Sequence, residues 1–430
     1  MNQTVSSPQK ITGEISPPPG DKSISHRAAL LNSIGNGSAK ISNFCEGDDR
    51  TSMINCLNSL GAQIDEGASD GEFIIRGNGL NGLIEPTDVL NAGNSGTTMR
   101  LVSGLLSAQK FYSVITGDDS LRFRPMKRII EPLNLMGAKV SGRDNNSYAP
   151  LTFHPNNLSG IEYSMPVSSA QLKSCLLIAS LYAQGEMIIN QPSNSRDHTE
   201  RMLQSMGSNI RTEGLQITMS STELNCIDVQ IPCDTSGSAF WLVAACCHPN
   251  AKIKINNVGM NPTRTGVIEV LKMMGANLHL TNESFQGGEP VADIIASSSK
   301  LKGIEISGEI IPRVVDELPI LALASCFADG KTIIKNAEEL RVKESDRIAA
   351  TVDSLKKLSA SIEELPDGME INGTGALTGS KVDSHGDHRI AMTNGIAGLL
   401  ADGVTTVENS EAASVSYPNF WKELTLIQKA

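Results

Sequence analysis

Residues 95–108, SGTTMRLVSGLLSA, place a small polar residue ahead of an amphipathic run that closes on small apolar residues. The same design recurs in KSISHRAALLNSI (22–34), SSAQLKSCLLIASL (168–181), TSGSAFWLVAACC (235–247), VVDELPILALASC (314–326) and GDHRIAMTNGIAGLL (386–400). Anchored on Ser23, Ser95, Ser169, Ser236, Asp316 and Asp387, the six segments are separated by 72, 74, 67, 80 and 71 residues. Six units of about 72 residues therefore account for the whole chain. Near-equal spacing with the same internal order marks a repeat rather than the loose alternation of any α/β protein.

Working outward from these helices, each is followed by a turn and a strand-like stretch: KISNF, YSVIT, EMIIN, KIKIN, KTIIK and VTTVE. A second amphipathic helix then ends on SLGAQI, LMGAKV, SMGSNI, MMGANL and, with Ser359 in place of Gly, KLSASI. Glycine just past a helix end predicts a left-handed cap, and the apolar tail after it predicts the next strand. The unit reads helix–strand–helix–strand–strand, an α/β design. The sixth unit runs out after a second helix near Tyr417 to Ile427, and Ile11 to Ile15 is expected to supply its missing strand.

A 72-residue period exceeds that of an ordinary solenoid, so two groups of three units with separate cores are expected. The run Pro17-Pro18-Pro19-Gly20 and the stretch from Pro232 to Gly237 are the boundary candidates. This gives one domain of residues 1–18 plus 235–430 and a second of residues 19–234.

Composition narrows the function. The chain has 430 residues, 40% of them hydrophobic and 19% charged, with a net charge of −11 that argues against nucleic acid as a partner. Aromatics are only 4%, so aliphatic residues and Met must fill the cores. No apolar run is long enough for a membrane span, and MNQTVSSPQK lacks the layout of a secretory signal. Eight cysteines without a C-x-x-C spacing, mostly in apolar helical stretches, fit a reducing cytoplasm.

The informative charges stand at or near helix starts: Lys22 and Arg27, Arg100, Arg124 after GDDSLRF, Arg196 opening SRDHTERML, Lys343 and Arg347 around Glu344 in RVKESDR, and Arg389 in HGDHR. A lone basic residue on a helix usually lies on a solvated face. Here each keeps company with Ser, Thr, Gly, Asn or Gln at turn positions. Helix N-termini with arginine forks suit phosphate and carboxylate ligands, which points to small polyanions as substrates. His385 and His388 have no further ligand cluster for a metal, PPPGDKS lacks phosphate-loop spacing, and no G-x-S-x-G elbow is present. Asp316, Glu344 and His388 remain as acid–base candidates, although an Asp ahead of a helix is more often just an N-cap.

GDKSISHRAALL, NAGNSGTTMRL, GDDSLRFRPMKRIIEPL, SSAQLKS, SRDHTERML, DELP, RVKESDRI and HGDHRIAM occur in this order from Pro19 to beyond Met392. Together they resemble the enolpyruvyl transferase family, in particular its 5-enolpyruvylshikimate-3-phosphate synthases. The resemblance implies two domains, each an inside-out assembly of three βαβαββ units, with a cleft between them that closes on its substrates. It implies transfer of the enolpyruvyl group of phosphoenolpyruvate to the 5-hydroxyl of shikimate 3-phosphate, by addition–elimination, with release of phosphate and with no metal or cofactor. Carried over position by position, Lys22, Ser23, Arg27, Ser169, Gln171, Ser195, Arg196, Asp316 and Lys343 would hold shikimate 3-phosphate. Lys22, Gly96, Arg124, Gln171, Arg347 and Arg389 would hold phosphoenolpyruvate. Asp316 would take the hydroxyl proton, Glu344 or Lys22 would deliver a proton to the methylene carbon, and His388 completes the catalytic set. A monomer in the cytoplasm, part of aromatic amino-acid biosynthesis, is expected.

Departures from the commoner pattern are Leu101, the Ser169-Ala170-Gln171 segment, Arg196 where others use Tyr, and Val415 where one branch has a Lys. They leave the anion geometry and the response to glyphosate-like inhibitors open. Two rival readings are a UDP-N-acetylglucosamine enolpyruvyl transferase and a non-catalytic copy of the fold. The first typically has a reactive Cys in the loop here spanning Thr116 to Arg124, which contains none. The second should have lost the acid–base set, which is present.

Overall fold

The structure is a computed structural model that describes residues 1–15 and 20–429. Pro17, Pro18 and Pro19 of the first expected boundary lie outside the described residues. The chain divides into two compact units. One contains the N-terminal strands, Pro232–Ser284 and the residues from Pro290 onward. The other contains Gly20–Ile231 together with Phe285–Glu289. That last short segment, which the sequence reading leaves with its flanking strands, groups with residues 20–231. The reason is a buried contact, the His198 Nδ1 to Glu289 Oε1 hydrogen bond of 2.8 Å.

The strands of the described residues form six sheets, three in each unit. One pattern repeats. A leading strand lies parallel to a central strand, whose other side carries an antiparallel hairpin. Leu90–Asn91, Ser113–Thr116, Tyr148–His154 and Lys139–Gly142 pair in that order. Glu162–Ser164, Glu186–Asn190, Gln216–Ser220 and Arg211–Glu213 do the same. Alternating burial along the central strands puts one face of each sheet onto the core.

The closing strands differ from the expectation. Ile11–Ile15 does not complete the sixth sheet; it runs parallel to Ala251–Ile255 in the fourth. The sixth sheet is completed by Asn2–Ser6, antiparallel to Val404–Glu408. Val229–Gln230, which by position should lead the fourth unit, instead pairs with Ile41–Ser42 of the first. Each unit is thereby closed by a strand distant in sequence, and the place left in the fourth sheet is filled by Ile11–Ile15. Val5 selects the other position. It is buried against Gly398, where an added Cβ would come within 2.8 Å of the valine.

Six helices carry the repeat: α1 (Lys22–Ser33), α2 (Gly96–Leu106), α3 (Ala170–Ser180), α4 (Thr235–Cys247), α5 (Leu318–Cys326) and α6 (His388–Leu400). All are buried around nearly their whole circumference, as helices enclosed by sheets and not lying on them. Close packing depends on small residues: at Gly104 a Cβ would lie 2.3 Å from the Cys175 carbonyl oxygen, so α2 approaches α3 only because Gly is there. The second-helix caps are left-handed as expected, at Gly61, Gly137, Gly207 and Gly275, and Ser359 takes the same conformation with φ 68°.

Candidate active-site residues

In the unit of residues 20–231, α1 begins at Lys22 because Asp21 caps it, its carboxylate accepting from the Ile24 amide at 2.9 Å. The half-exposed Lys22 ammonium donates to Asp49 Oδ2 at 2.8 Å. Burial pushes the Asp49 carboxyl up, but Lys22 and His26 outweigh it and hold the group below the usual range. Arg27, one helical turn on, is buried and donates to Thr199 Oγ1 (2.6 Å), Ser174 Oγ (2.7 Å) and the Ser23 carbonyl (2.9 Å). These acceptors are all neutral, and burial lowers the guanidinium to about 10.

A second group gathers around the start of α2. Gly96 is its first residue, after the Ser95 cap. A Cβ at Gly96 would stand 3.2 Å from Arg100 Nη1 and 3.4 Å from Arg124 Nη1, so both guanidiniums converge on its bare Cα. Arg100 donates to Gln171 Oε1, Gln171 Nε2 to Thr97 Oγ1 at 3.0 Å, and Arg124 to Asn94 Oδ1 at 2.6 Å. Here too the acceptors are neutral amides and hydroxyls. Burial, with Arg128 and Arg124 close by, lowers Arg100 to about 9. Ser169 caps α3 through the Leu172 amide, and Ser195 Oγ donates to Gln191 Oε1 at 2.9 Å. Arg196 precedes the helix His198–Ser205 and does not open it, and it lies near enough to Arg27 to depress that guanidinium.

The other unit holds a different cluster, centred on Arg347, the first residue of the helix Arg347–Lys357. Its Nε donates to Asp387 Oδ2 at 2.8 Å, its Nη2 to Glu344 Oε2 at 2.6 Å and its Nη1 to Asp316 Oδ1 at 3.3 Å. Lys343 Nζ lies 3.7 Å from Asp316 and 2.7 Å from Glu339. Arg347 is raised, because these carboxylates outweigh its burial. Burial pushes the Glu344 and Asp387 carboxyls up, yet Arg347 and His388 leave both below the usual range. Burial, reinforced by Arg389, lowers His388 to about 4, so the imidazole is neutral at pH 7. Arg389 reaches Glu317 Oε1 at 3.5 Å, and Glu317 also accepts from Ser236 Oγ.

Each sequence-predicted residue thus has a place. Lys22, Ser23, Arg27, Ser169, Gln171, Ser195, Arg196, Gly96 and Arg124 belong to the unit of residues 20–231, and Asp316, Lys343, Glu344, Arg347, His388 and Arg389 to the other. Asp316 is not the cap residue of α5: that position is Glu317, which makes no side-chain capping bond, and the Asp316 carboxylate faces Arg347. Asp49, Asp387 and Glu317 were assigned no chemical role from sequence. The HGDHR string already placed Asp387 ahead of a helix, whereas only tertiary contact identifies Asp49 and Glu317. Val415, the departure near the C-terminus, is 68% exposed.

Comparison with known proteins agrees over almost the full length. A family model described as EPSP synthase (3-phosphoshikimate 1-carboxyvinyltransferase) matches residues 5–424. The chain is 49% identical to a 3-phosphoshikimate 1-carboxyvinyltransferase of Thermodesulfovibrio yellowstonii, covering 100% of both chains. It is also 49% identical to one of a Geobacter species, covering 97% of each. Among solved structures, an EPSP synthase from Acinetobacter baumannii superposes with a TM-score of 0.93 at 41% identity, over 99% of this chain and 98% of that one.

Proposed function

We infer the reaction from the premise that this chain belongs to the EPSP synthase (3-phosphoshikimate 1-carboxyvinyltransferase) family. It transfers the enolpyruvyl group of phosphoenolpyruvate to the 5-hydroxyl of shikimate 3-phosphate and releases phosphate. The observation that carries the residue assignment is the contrast between buried guanidiniums bonded to neutral acceptors and a guanidinium bonded to three carboxylates. The first arrangement suits an anion receptor, and the second supplies ionised groups for proton transfer.

Lys22, Ser23, Arg27, Ser169, Gln171, Ser195, Arg196, Asp316 and Lys343 are assigned to shikimate 3-phosphate. Lys22, Gly96, Arg124, Gln171, Arg347 and Arg389 are assigned to phosphoenolpyruvate. In the addition step the 5-hydroxyl oxygen bonds to the central carbon of phosphoenolpyruvate, Asp316 takes the hydroxyl proton, and the methylene carbon is protonated. In the elimination step that carbon returns a proton and the C–O bond to phosphate breaks, restoring the double bond.

Glu344 or Lys22 handles the carbon-bound proton. An ionised Glu344 held by Arg347 is a poor acid, so binding must change its state. Of the three carboxylates on Arg347, Glu344 is 47% exposed, against 19% for Asp316 and 0% for Asp387. It is therefore the one that an incoming carboxylate or phosphate displaces most readily. Freed from Arg347 and facing new negative charge, its pKa rises and it becomes a proton donor. The neutral His388 imidazole lies near enough to this group for the two to influence each other electrostatically.

A cytoplasmic monomer acting on these two small molecules, with no nucleic-acid partner, completes the reading. Among the described residues no helix is long and apolar enough to cross a membrane. Phosphate release from the purified protein with phosphoenolpyruvate and shikimate 3-phosphate tests it. Release with that pair is expected; release only when UDP-N-acetylglucosamine replaces shikimate 3-phosphate would overturn it.

A further inference from the structure

Lys173 lies on α3 two residues beyond Gln171, and its side chain is completely buried. A buried ammonium is costly unless paired and fully hydrogen-bonded. Here it is: Nζ lies 2.6 Å from Glu200 Oε1, 3.1 Å from Gln191 Oε1 and 3.3 Å from the Ser195 carbonyl oxygen. The three acceptors belong to the helix His198–Ser205 and to the loop that precedes it. Gln191 Oε1 in turn accepts from Ser195 Oγ at 2.9 Å. Ser195 is thus held twice, through its carbonyl directly and through its hydroxyl by way of Gln191. On the same side, Ser168 Oγ donates to the Ser193 carbonyl at 2.8 Å.

Neighbouring Thr199 and Ser174 are the residues that receive Arg27. One turn of α3 therefore anchors the loop 191–196 through Lys173 and seats Arg27 through Ser174. We propose that Lys173, with Glu200 as its counter-charge, is a positioning residue that pre-sets the loop bearing Ser195 and Arg196 for shikimate 3-phosphate. The inference deepens the reading above and rests on it for the identity of the ligand. Lys173 itself is sealed from solvent, so it acts through Ser195 and the backbone. Freezing the loop before binding removes an ordering cost that the substrate would otherwise have to meet.

The test compares Lys173→Met with the double variant K173M/E200L. The single variant leaves Glu200 buried without its cation and is expected to melt earlier. The double variant removes both charges, which restores folding while still releasing the loop. Its expected signature is faster hydrogen exchange of amides 193–196, with α2 unchanged, and a KM for shikimate 3-phosphate raised roughly tenfold for the loss of two charge-assisted hydrogen bonds. KM for phosphoenolpyruvate should stay within about twofold in the same comparison.

A folded double variant with wild-type exchange in residues 193–196 would overturn the proposal whatever the substrate is. So would unchanged KM for shikimate 3-phosphate in an active double variant. Failure of the substrate reading shows separately, as absence of phosphate release by the wild-type protein, and leaves the exchange experiment decisive.

Discussion

Arg27 and Arg347 are both buried and both stand on helices, yet their surroundings are opposite. Arg27 is held by two hydroxyls and a carbonyl, Arg347 by three carboxylates. Burial lowers Arg27 and Arg100 to about 10 and about 9, whereas the carboxylates raise Arg347. A desolvated cation whose direct hydrogen-bond partners are neutral lacks part of the solvation it had in water, even with the Glu200 and Asp21 carboxylates acting on Arg27 from farther away, and an anionic ligand restores that loss. A cation surrounded by carboxylates is already neutralised and instead keeps those carboxylates ionised and aimed. The comparison teaches that the two groups of cations would meet an anion differently: Arg27 and Arg100 have only neutral hydrogen-bond partners to give up, whereas Arg347 must exchange a carboxylate for it.

Four outcomes would break or sharpen that contrast. The largest concerns the proton-handling side. Asp316→Asn should lower turnover by about 10²–10⁴-fold, the span of a lost general base, with KM for either substrate little changed. Steady-state phosphate release checks it, and wild-type turnover would remove Asp316 from the role of base.

Next comes stability. Arg347→Leu strands the fully buried Asp387 and should cost about 3–5 kcal/mol by denaturant unfolding. Arg100→Met leaves the neutral Gln171 and Pro125 oxygens without a donor but strands no charge, so the midpoint should change far less, while KM for phosphoenolpyruvate increases because Gln171 loses its hold. Equal destabilisation by both substitutions would erase the distinction between the two units.

The third is pH dependence. His388 binds its proton near pH 4 in the folded chain but near 6.5 when unfolded. Between these values the unfolded state carries the extra proton, so stability falls as pH drops from about 6.5 to about 4. The lowered pKa values of Glu344 and Asp387 make their contribution present above the ordinary carboxylate pKa and lost as pH falls through their depressed values. Thermal melts of His388→Gln should show a shallower decline between pH 6.5 and 4. An unchanged slope would show that other groups drive it.

The smallest effect concerns helix caps. The unit of residues 20–231 uses Gly at each left-handed second-helix cap, whereas the other has Gly275 at one and Ser359, with φ 68°, at another. Ser359→Gly should add roughly 1 kcal/mol by relieving the left-handed penalty. A loss of stability would mean that the serine side chain makes a compensating contact.

The repeat, its six leading helices and the glycine caps were legible because they depend on local periodicity and on one residue's backbone freedom, whereas the sequence reads those helices as amphipathic and the structure buries them nearly all round. Ile11–Ile15 shows where that legibility stops. Its alternation predicts a strand correctly, but two sheets had room for it, and the choice followed from Val229–Gln230 joining the first sheet and Val5 meeting Gly398. The candidate cations were readable as positively charged groups at helix starts. Their partners were not: Asp387 lies 40 residues from Arg347, and Thr199 lies 172 residues from Arg27.

By itself the amino-acid sequence determined a six-unit α/β chain and the positions of the groups able to carry its chemistry. Period, cap and residue type are local properties that need no partner. Tertiary structure alone decided which strand closes each sheet and whether a buried arginine meets a hydroxyl or a carboxylate. Strand pairing and charge neutralisation both depend on groups brought together from distant parts of the chain, and a buried guanidinium is left with neutral partners or paired with carboxylates according to what folding sets beside it.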